Sequence, residues 1–451
     1  MNALRKISLA IASCALGLFL IATDTNAFDL PFSLKNKKQS VAAMTIEDRL
    51  REGRVKFLGV FSSLGNSDAA QHLGRDLVTG GDSGVLVNSN RNNQLLREAC
   101  PILSQNAELV SLLRIEPQNC LRSGDGGVFG YKYFLAIYVP DAFDDLTSYE
   151  LFGAKAHRKE VFVPVYIDLM QVNDEKMLES VYTRLFIGSD YKVQDFQISP
   201  NQTKELYLKA FRGAIEDHVT TLLSHKTAPL PELDSEMGFA KTMQIHQVGL
   251  VDSVKLSLST YGKKYDEYFL QFLAFDLYSN LLSDLIKQGE TGIKIMPPKL
   301  NGQVADIKMD IAKLISNMLD DDEISAAYLD VPMMADRIVI KGMFLKLQNQ
   351  VVAESKVDQA RKVRSVLGAA AYLVSDGEDI ILPCDGSPKK SKIALAAGNS
   401  VYKNIYNVKK SKSKQIVLAE SVHNSLGGVS ERLVPIIQKI SRQTSQNSKC
   451  F

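Results

Sequence analysis

Short apolar runs and amphipathic stretches alternate along this chain, and their spacing predicts most of its elements. The run Val55-Lys56-Phe57-Leu58-Gly59-Val60-Phe61 predicts a buried strand. Gly65, Asn66 and Ser67 make a turn, and Ser67 or Asp68 can cap a helix reaching about Leu77. Gly80 to Gly84 breaks that helix, Val85–Val87 predicts a short strand, and helices follow over Asn92–Leu103 and Glu108–Leu113. Three long strands come next: Tyr131–Val139, Val161–Val172 and Met177–Ile187, the last two joined by a hairpin turn at Asn173-Asp174-Glu175. Leu208, Phe211, Ile215, Val219 and Leu222 recur at spacings of three and four, so Thr203–Ser224 predicts an amphipathic helix.

Ala228-Pro229-Leu230-Pro231-Glu232 interrupts the pattern. Each proline fixes φ and lacks an N–H, so Pro-x-Pro resists both helix and central strand and places a boundary at 228–242. Beyond it the order repeats. Gln244–Val251 predicts a strand, Tyr268–Lys287 a long helix, Ile293–Met296 a short strand stopped by Pro297-Pro298, and Val304–Leu319 a helix ended by Asp320–Glu323. Arg337–Leu347 and Val351–Lys356 predict a hairpin around Gln348-Asn349-Gln350, and Leu367–Val374 with Asp379–Leu382 a further strand pair. Ser430–Ile440 predicts a terminal helix capped by Ser430, with Pro435 inside it. Helices between strands make crossover units, and hairpins add antiparallel pairs. The expectation is an α/β fold with an α+β tendency. It consists of two similar mixed-sheet domains in tandem, residues 46–227 and 243–451, in the order a duplication would leave, after a polar leader at 28–45.

The N-terminus carries a different signal. Arg5 and Lys6 precede an apolar stretch from Ile7 to Thr23, and Asp24, Thr25 and Asn26 lead to the small residue Ala27. Charged start, apolar middle and small-residue exit form the tripartite secretory pattern, with residues 1–27 as signal peptide. A helix of that stretch is about 25 Å long, marginal for a bilayer. Retention as an anchor, or lipidation at Cys14 within Ile11-Ala12-Ser13-Cys14, are the competing readings. The expected location is the periplasm or outer envelope in a bacterium, and the secreted fraction otherwise. Removing residues 1–27, which hold Arg5, Lys6 and Asp24, leaves 51 basic and 50 acidic residues, a balance that argues against a nucleic-acid binder. Cys100, Cys120, Cys384 and Cys450 then remain, and an even count in an oxidising compartment invites disulfides. Three pairings are open; Cys100–Cys120 with Cys384–Cys450 keeps each bridge within one half, and free thiols are the other reading.

Ala335-Asp336-Arg337-Ile338-Val339-Ile340-Lys341-Gly342-Met343-Phe344 resembles the alanine–aspartate, apolar strand, glycine segment of TolB amino-terminal-like domains. Curli secretion-channel and flagellar outer-ring proteins carry related folds. Val351–Lys356 would be the return strand, and Val161–Val172 with Met177–Ile187 is similar to the second hairpin of those families. The resemblance implies bacterial envelope domains that bind proteins and assemble into rings, without an active site. The chain departs from the curli family, whose mature chain follows directly on a lipidated cysteine.

Gly81-Asp82-Ser83-Gly84 matches a serine-nucleophile loop, but only His72 lies upstream as a base, and the four residues are also turn chemistry. The six histidines, His72, His157, His218, His225, His246 and His423, include no pair at the i, i+4 spacing of helical metal sites. No phosphate-binding glycine loop occurs, and no cofactor or small-molecule ligand is implied. Residues 389–414 hold Lys389, Lys390, Lys392, Lys403, Lys409, Lys410, Lys412 and Lys414 with no acidic residue, so they either dock an anionic surface or form a solvated loop.

These readings point to a non-catalytic exported envelope protein, an assembly, scaffold or accessory component whose partners are other envelope proteins or its own copies. A two-lobed periplasmic solute-binding protein is the alternative, and an uncharacterised hydrolase a distant third. The solute binder requires several chain crossings between lobes, whereas the repeated order predicts a single crossing near Pro229–Pro231.

Overall fold

The computed structural model describes residues 45–51, 53–64, 68–73, 94–115, 120, 131–151, 153–172, 176–227, 241–250, 263–288, 293–298, 303–319, 325–326, 336–343, 350–355, 360–374, 392–407, 426–435 and 437–438. The signal segment and the strand expected at Val85–Val87 lie outside them.

The first half contains α1 (Ile46–Arg51), β1 (Arg54–Ser62), α2 (Asp68–Leu73), α3 (Gln94–Gln105), α4 (Ala107–Leu113), β2 (Tyr131–Val139), β3 (Phe143–Leu151), β4 (Ala154–Val172), β5 (Met177–Gln194) and α5 (Pro200–Ser224). The second contains β6 (Lys241–Leu250), α6 (Lys263–Lys287), β7 (Ile293–Met296), α7 (Gln303–Leu319), β8 (Ser325–Ala326), β9 (Asp336–Met343), β10 (Gln350–Ser355), β11 (Ala360–Val374) and β12 (Lys392–Asn407). A last helix, α8, covers 426–435. The chain is an α/β protein with two mixed sheets, as its periodicity predicts.

In the first sheet β1 runs parallel to β2, β2 antiparallel to β4, and β4 antiparallel to both β5 and β3. The predicted hairpin is the β4–β5 pair, which runs from Val172↔Leu178 out to His157↔Gln194 with one register shift between Leu169 and Met170. β4 is 19 residues long, about 60 Å of extended chain, so its outer half carries β3 while its inner half carries β2. The alternation of β4 sorts the core. Val161, Val163, Val165, Ile167 and Leu169 join the cluster built with α3 and α5, whereas Tyr166 and Met170 join the one built with α7. A bulge between Phe57 and Gly59 lets β1 follow the same division, and Gly59 sits at φ 117°, open to glycine and strained for other residues.

α5 forms where the stripe of Leu208, Phe211, Ile215, Val219 and Leu222 predicts it, and all five are buried. Ser199 caps it with a full capping box, and Pro200 occupies the first turn, where its missing N–H costs nothing. Gly188 of β5 lets the helix close on the sheet: a Cβ there would lie 2.0 Å from the carbonyl oxygen of Ala210.

The other face of this sheet is closed by the second half of the chain. Val304, Ile307, Ile311, Ala312 and Ile315 of α7, with Phe275 of α6, pack on Leu58, Phe134, Tyr138, Tyr166, Met170 and Leu185. β8 then adds to β5 through Met177↔Ser325 and Leu178↔Ala326. The stretch 228–242 therefore separates the sheets in sequence without separating their cores. The chain passes from the first sheet to β6 and β7, returns with α7 and β8, and leaves again for β9. That is more than the single crossing expected; the apolar face of α7 finds its partner on the first sheet.

The second sheet repeats the pairing scheme of the first. β6 runs parallel to β9, β9 antiparallel to β11, and β11 antiparallel to β12 along its length and to β10 at its far end. Three expectations change here. β9 and β10 do not form a hairpin with each other; both pair with β11, β10 at 360–364 and β9 at 368–374. The partner of β11 on its other edge is β12; Asp379–Leu382 lies outside the described residues. α8 begins at 426, so Ser430 is not its cap but an interior residue that donates to Asp284 at 2.8 Å.

Candidate functional site

The structure joins Cys100, on α3, to Cys120. Cys384 and Cys450 lie outside the described residues. The bridge closes a sequence separation of 20, which in the chain-entropy account contributes about 3 kcal/mol. Replacing both cysteines by alanine should therefore lower the stability read from urea unfolding by that amount. An unchanged midpoint would show that the bridge holds nothing the core does not. Lys392 and Lys403 are strand residues of β12, opposite Val374 and Arg364. The expected lysine loop is therefore extended sheet over 392–407, because β11 offers it a full-length partner edge. Lys389, Lys390, Lys409, Lys410, Lys412 and Lys414 lie outside the described residues, as does Gly81-Asp82-Ser83-Gly84. His72 stacks on Tyr207 with centroids 5.7 Å apart, and Ser148 Oγ lies 2.8 Å from His157 Nδ1.

Two polar clusters sit inside the apolar layers instead. The first lies between the first sheet and α7. Tyr138 donates to Asp168 Oδ2 at 2.9 Å, Lys308 Nζ approaches the same oxygen at 3.5 Å, and Lys308 also donates to Ser180 Oγ. Asp168, Ser180 and Thr183 are 0 % exposed and Lys308 5 %. Thr183 stands directly opposite Asp168 in the β4–β5 register, and Thr183 Oγ1 and Asp168 Oδ1 have no partner. Burial, with the neighbouring Asp168 carboxylate, pushes the Tyr138 hydroxyl well above its usual range. A serine beside a lysine resembles a nucleophile–base pair. Here the lysine is held by Asp168 and the serine is sealed from solvent, so the network ties α7 to the sheet.

The second cluster surrounds Arg184 of β5. Its Nη1 donates to the carbonyl of Phe275 on α6 at 2.8 Å, and the guanidinium lies 6.0 Å from the ring centroids of Phe186 and Tyr278. His218 of α5 pairs Nε2 with the Val165 carbonyl at 2.8 Å and meets Phe186 edge-on. Burial pushes the His218 imidazole down to about 3, opposed by that hydrogen bond and helped by Arg184. His225, just past α5, is pushed down to about 4 by burial and then by Arg184, with Lys287 adding to it.

A third feature is the arm formed by the outer halves of β3, β4 and β5. Among the described residues β3 pairs only with β4, leaving its second edge unpaired. Leu146 on that strand is 54 % exposed, and Phe196, just past β5, 66 %. Asp144 is held inward by Lys159 at 2.7 Å and by the Tyr207 hydroxyl at 3.0 Å.

Periodicity did not single out these residues. The signal available was a charge inside an apolar pattern, alone for Asp168 in Val161–Val172 and accompanied by other charges for Arg184 in Met177–Ile187 and Lys308 in Val304–Ile311. Among the described residues no group of histidine, cysteine, aspartate and glutamate is placed to hold a metal ion. No helix among them is long and apolar enough to cross a membrane.

The class defined by this fold is a two-sheet α/β protein with an internal disulfide. No family model matches the chain, and no curated protein matches it. Among solved structures it is similar to a homologue of the neuraminyllactose-binding hemagglutinin from Helicobacter pylori. That match has 12% identity and a TM-score of 0.23, over 48% of this chain and 94% of the other. It is also similar to a Xanthomonas campestris protein of a family of unknown function, at 11% identity and a TM-score of 0.14, over 35% and 70%. At these TM-scores neither likeness carries a role over to this chain.

Proposed function

We propose that this is a non-catalytic, exported envelope protein that assembles through the free edge of β3. The tripartite N-terminus and the Cys100–Cys120 bridge support export, because disulfides persist in oxidising compartments. The repeated pairing scheme of the two sheets supports the resemblance to tandem TolB amino-terminal-like domains, which bind proteins. The observation that carries the assembly reading is the unpaired edge of β3 with Leu146 exposed on it. An open edge is a template for another strand, and two of the three acidic residues of β3 are already engaged, Asp144 by Lys159 and Asp145 by Thr147.

A second copy fits this edge. Antiparallel pairing centred on Leu146 sets Leu146 against itself and Asp145 opposite Thr147, the residue it already bonds at 2.9 Å within one chain. Light scattering behind size exclusion, across a dilution series, is expected to show a dimer. Leu146→Lys should raise the dissociation constant about tenfold or more, because two lysines then face each other at the centre of the interface. A wild-type protein that is monomeric at all concentrations, or a variant that dimerises equally well, would remove this reading.

A specific observation also favours the solute-binding alternative: the chain crosses between its two sheets three times. A two-lobed solute binder requires several crossings, and this chain meets that condition.

A further inference from the structure

Arg184 is 4 % exposed, and its guanidinium has no carboxylate within ion-pair distance among the described residues. Its Nη1 donates to a neutral carbonyl, and Nε has no partner. A buried cation without a counter-charge is among the costliest arrangements a protein interior can hold. Its neighbours do not relieve it. Tyr182, two residues along the same face of β5, is fully buried; its hydroxyl oxygen faces the guanidinium as a long hydrogen-bond acceptor, and its own proton has no acceptor. His218 and His225 of α5 and Tyr278 of α6 complete the surroundings, with Lys287 further out. Every one of these groups is neutral or cationic. Asp284 accepts from Ser430 and faces Lys287, and the Asp217 carboxyl, pushed up by burial and then by Glu216, forms no ion pair with Arg184. The carbonyls that end α5 are taken by the backbone N–H groups of His225 and Lys226.

We propose that Arg184 and Tyr182 bind an oxyanion, the carboxylate or phosphate group of a small ligand, where β5, α5 and α6 meet. An oxyanion accepts from both donors that now lack acceptors, Arg184 Nε and the Tyr182 hydroxyl, and supplies the missing negative charge. Lys287, paired with Asp284 and 71% exposed at its side chain, adds positive charge further out. The site lies where helices of both halves meet the first sheet. It does not depend on self-association through β3.

Thermal unfolding of the full protein at fixed ionic strength tests this, with sodium phosphate and sodium acetate as probes against sodium chloride. The wild type is expected to gain about 2 °C or more with the bound probe. Tyr182→Phe should fold with little change of midpoint in chloride, since its hydroxyl donates to nothing there, and should need at least about tenfold more probe for the same gain. Arg184→Met should lose the response; if it fails to fold, Arg184→Lys keeps the charge without the planar fork and should weaken the response. A response to phosphate alone assigns a phosphate-bearing ligand, and a response to acetate a carboxylate. Phosphate also stabilises proteins non-specifically, so the comparison with Tyr182→Phe decides. A wild type unmoved by either probe, or a Tyr182→Phe protein that responds as wild type does, would overturn the proposal.

Discussion

Between pH 7 and pH 5, in chloride, the protein is expected to lose about 4 kcal/mol of stability, about 2 from each of His218 and His225. Both imidazoles are buried and pushed down, to about 3 and about 4, against about 6.5 in an unfolded chain. Between those values the unfolded state binds protons that the folded state refuses, so stability is full above about pH 6.5 and falls as the pH drops through it. Few carboxylates titrate between pH 7 and 5, which isolates the histidines. At His225 the end of α5 would favour a cation, but burial and the charges of Arg184 and Lys287 outweigh it. Urea unfolding at the two pH values measures the loss, and His218→Gln should remove about half of it. Equal stabilities at pH 7 and pH 5 would mean that neither imidazole is held neutral. An oxyanion on Arg184 would offset the cationic field at both rings, so the loss should shrink in the probe that binds.

Lys308→Met is expected to destabilise the protein by about 3–5 kcal/mol, because it leaves the Asp168 carboxylate buried without its cation. The cost comes from stranding a charge and not from any great strength of the pair. The triple variant Lys308→Met, Asp168→Val, Tyr138→Phe removes the charges and the hydroxyl together, and should recover most of the loss. Urea unfolding of the single and triple variants at pH 7 decides between these. A single variant as stable as wild type would show that α7 is held by Val304, Ile307, Ile311 and Ile315 alone. A triple variant as weak as the single would show that the network stabilises outright.

Much of the first sheet is legible in the sequence because its periodicities are unmixed. The β4–β5 hairpin follows from two apolar runs around Asn173-Asp174-Glu175, and α5 from a stripe that nothing interrupts. β3 was not legible. Phe143-Asp144-Asp145-Leu146-Thr147-Ser148 reads as a polar loop, and it is a strand only because the outer half of β4 gives it a partner. The same holds for β12: Lys392 and Lys403 mark it as solvated chain, yet β11 presents an edge of matching length.

What the sequence determines by itself is local. Turn residues, caps and apolar spacing set most helices and long strands, and keeping each bridge within one half of the chain favoured the Cys100–Cys120 pair that the structure joins. Which surfaces meet was decided only in the tertiary structure. A stripe such as that of α7 states that one face must be buried, not against what, and it closes the first sheet instead of its own half. The charges of Asp168, Lys308 and Arg184 likewise become informative only when folding removes them from water. One finds its counter-ion from a helix more than a hundred residues away, and Arg184 is left facing tyrosines and histidines, because solvation, not sequence position, sets what a buried charge requires.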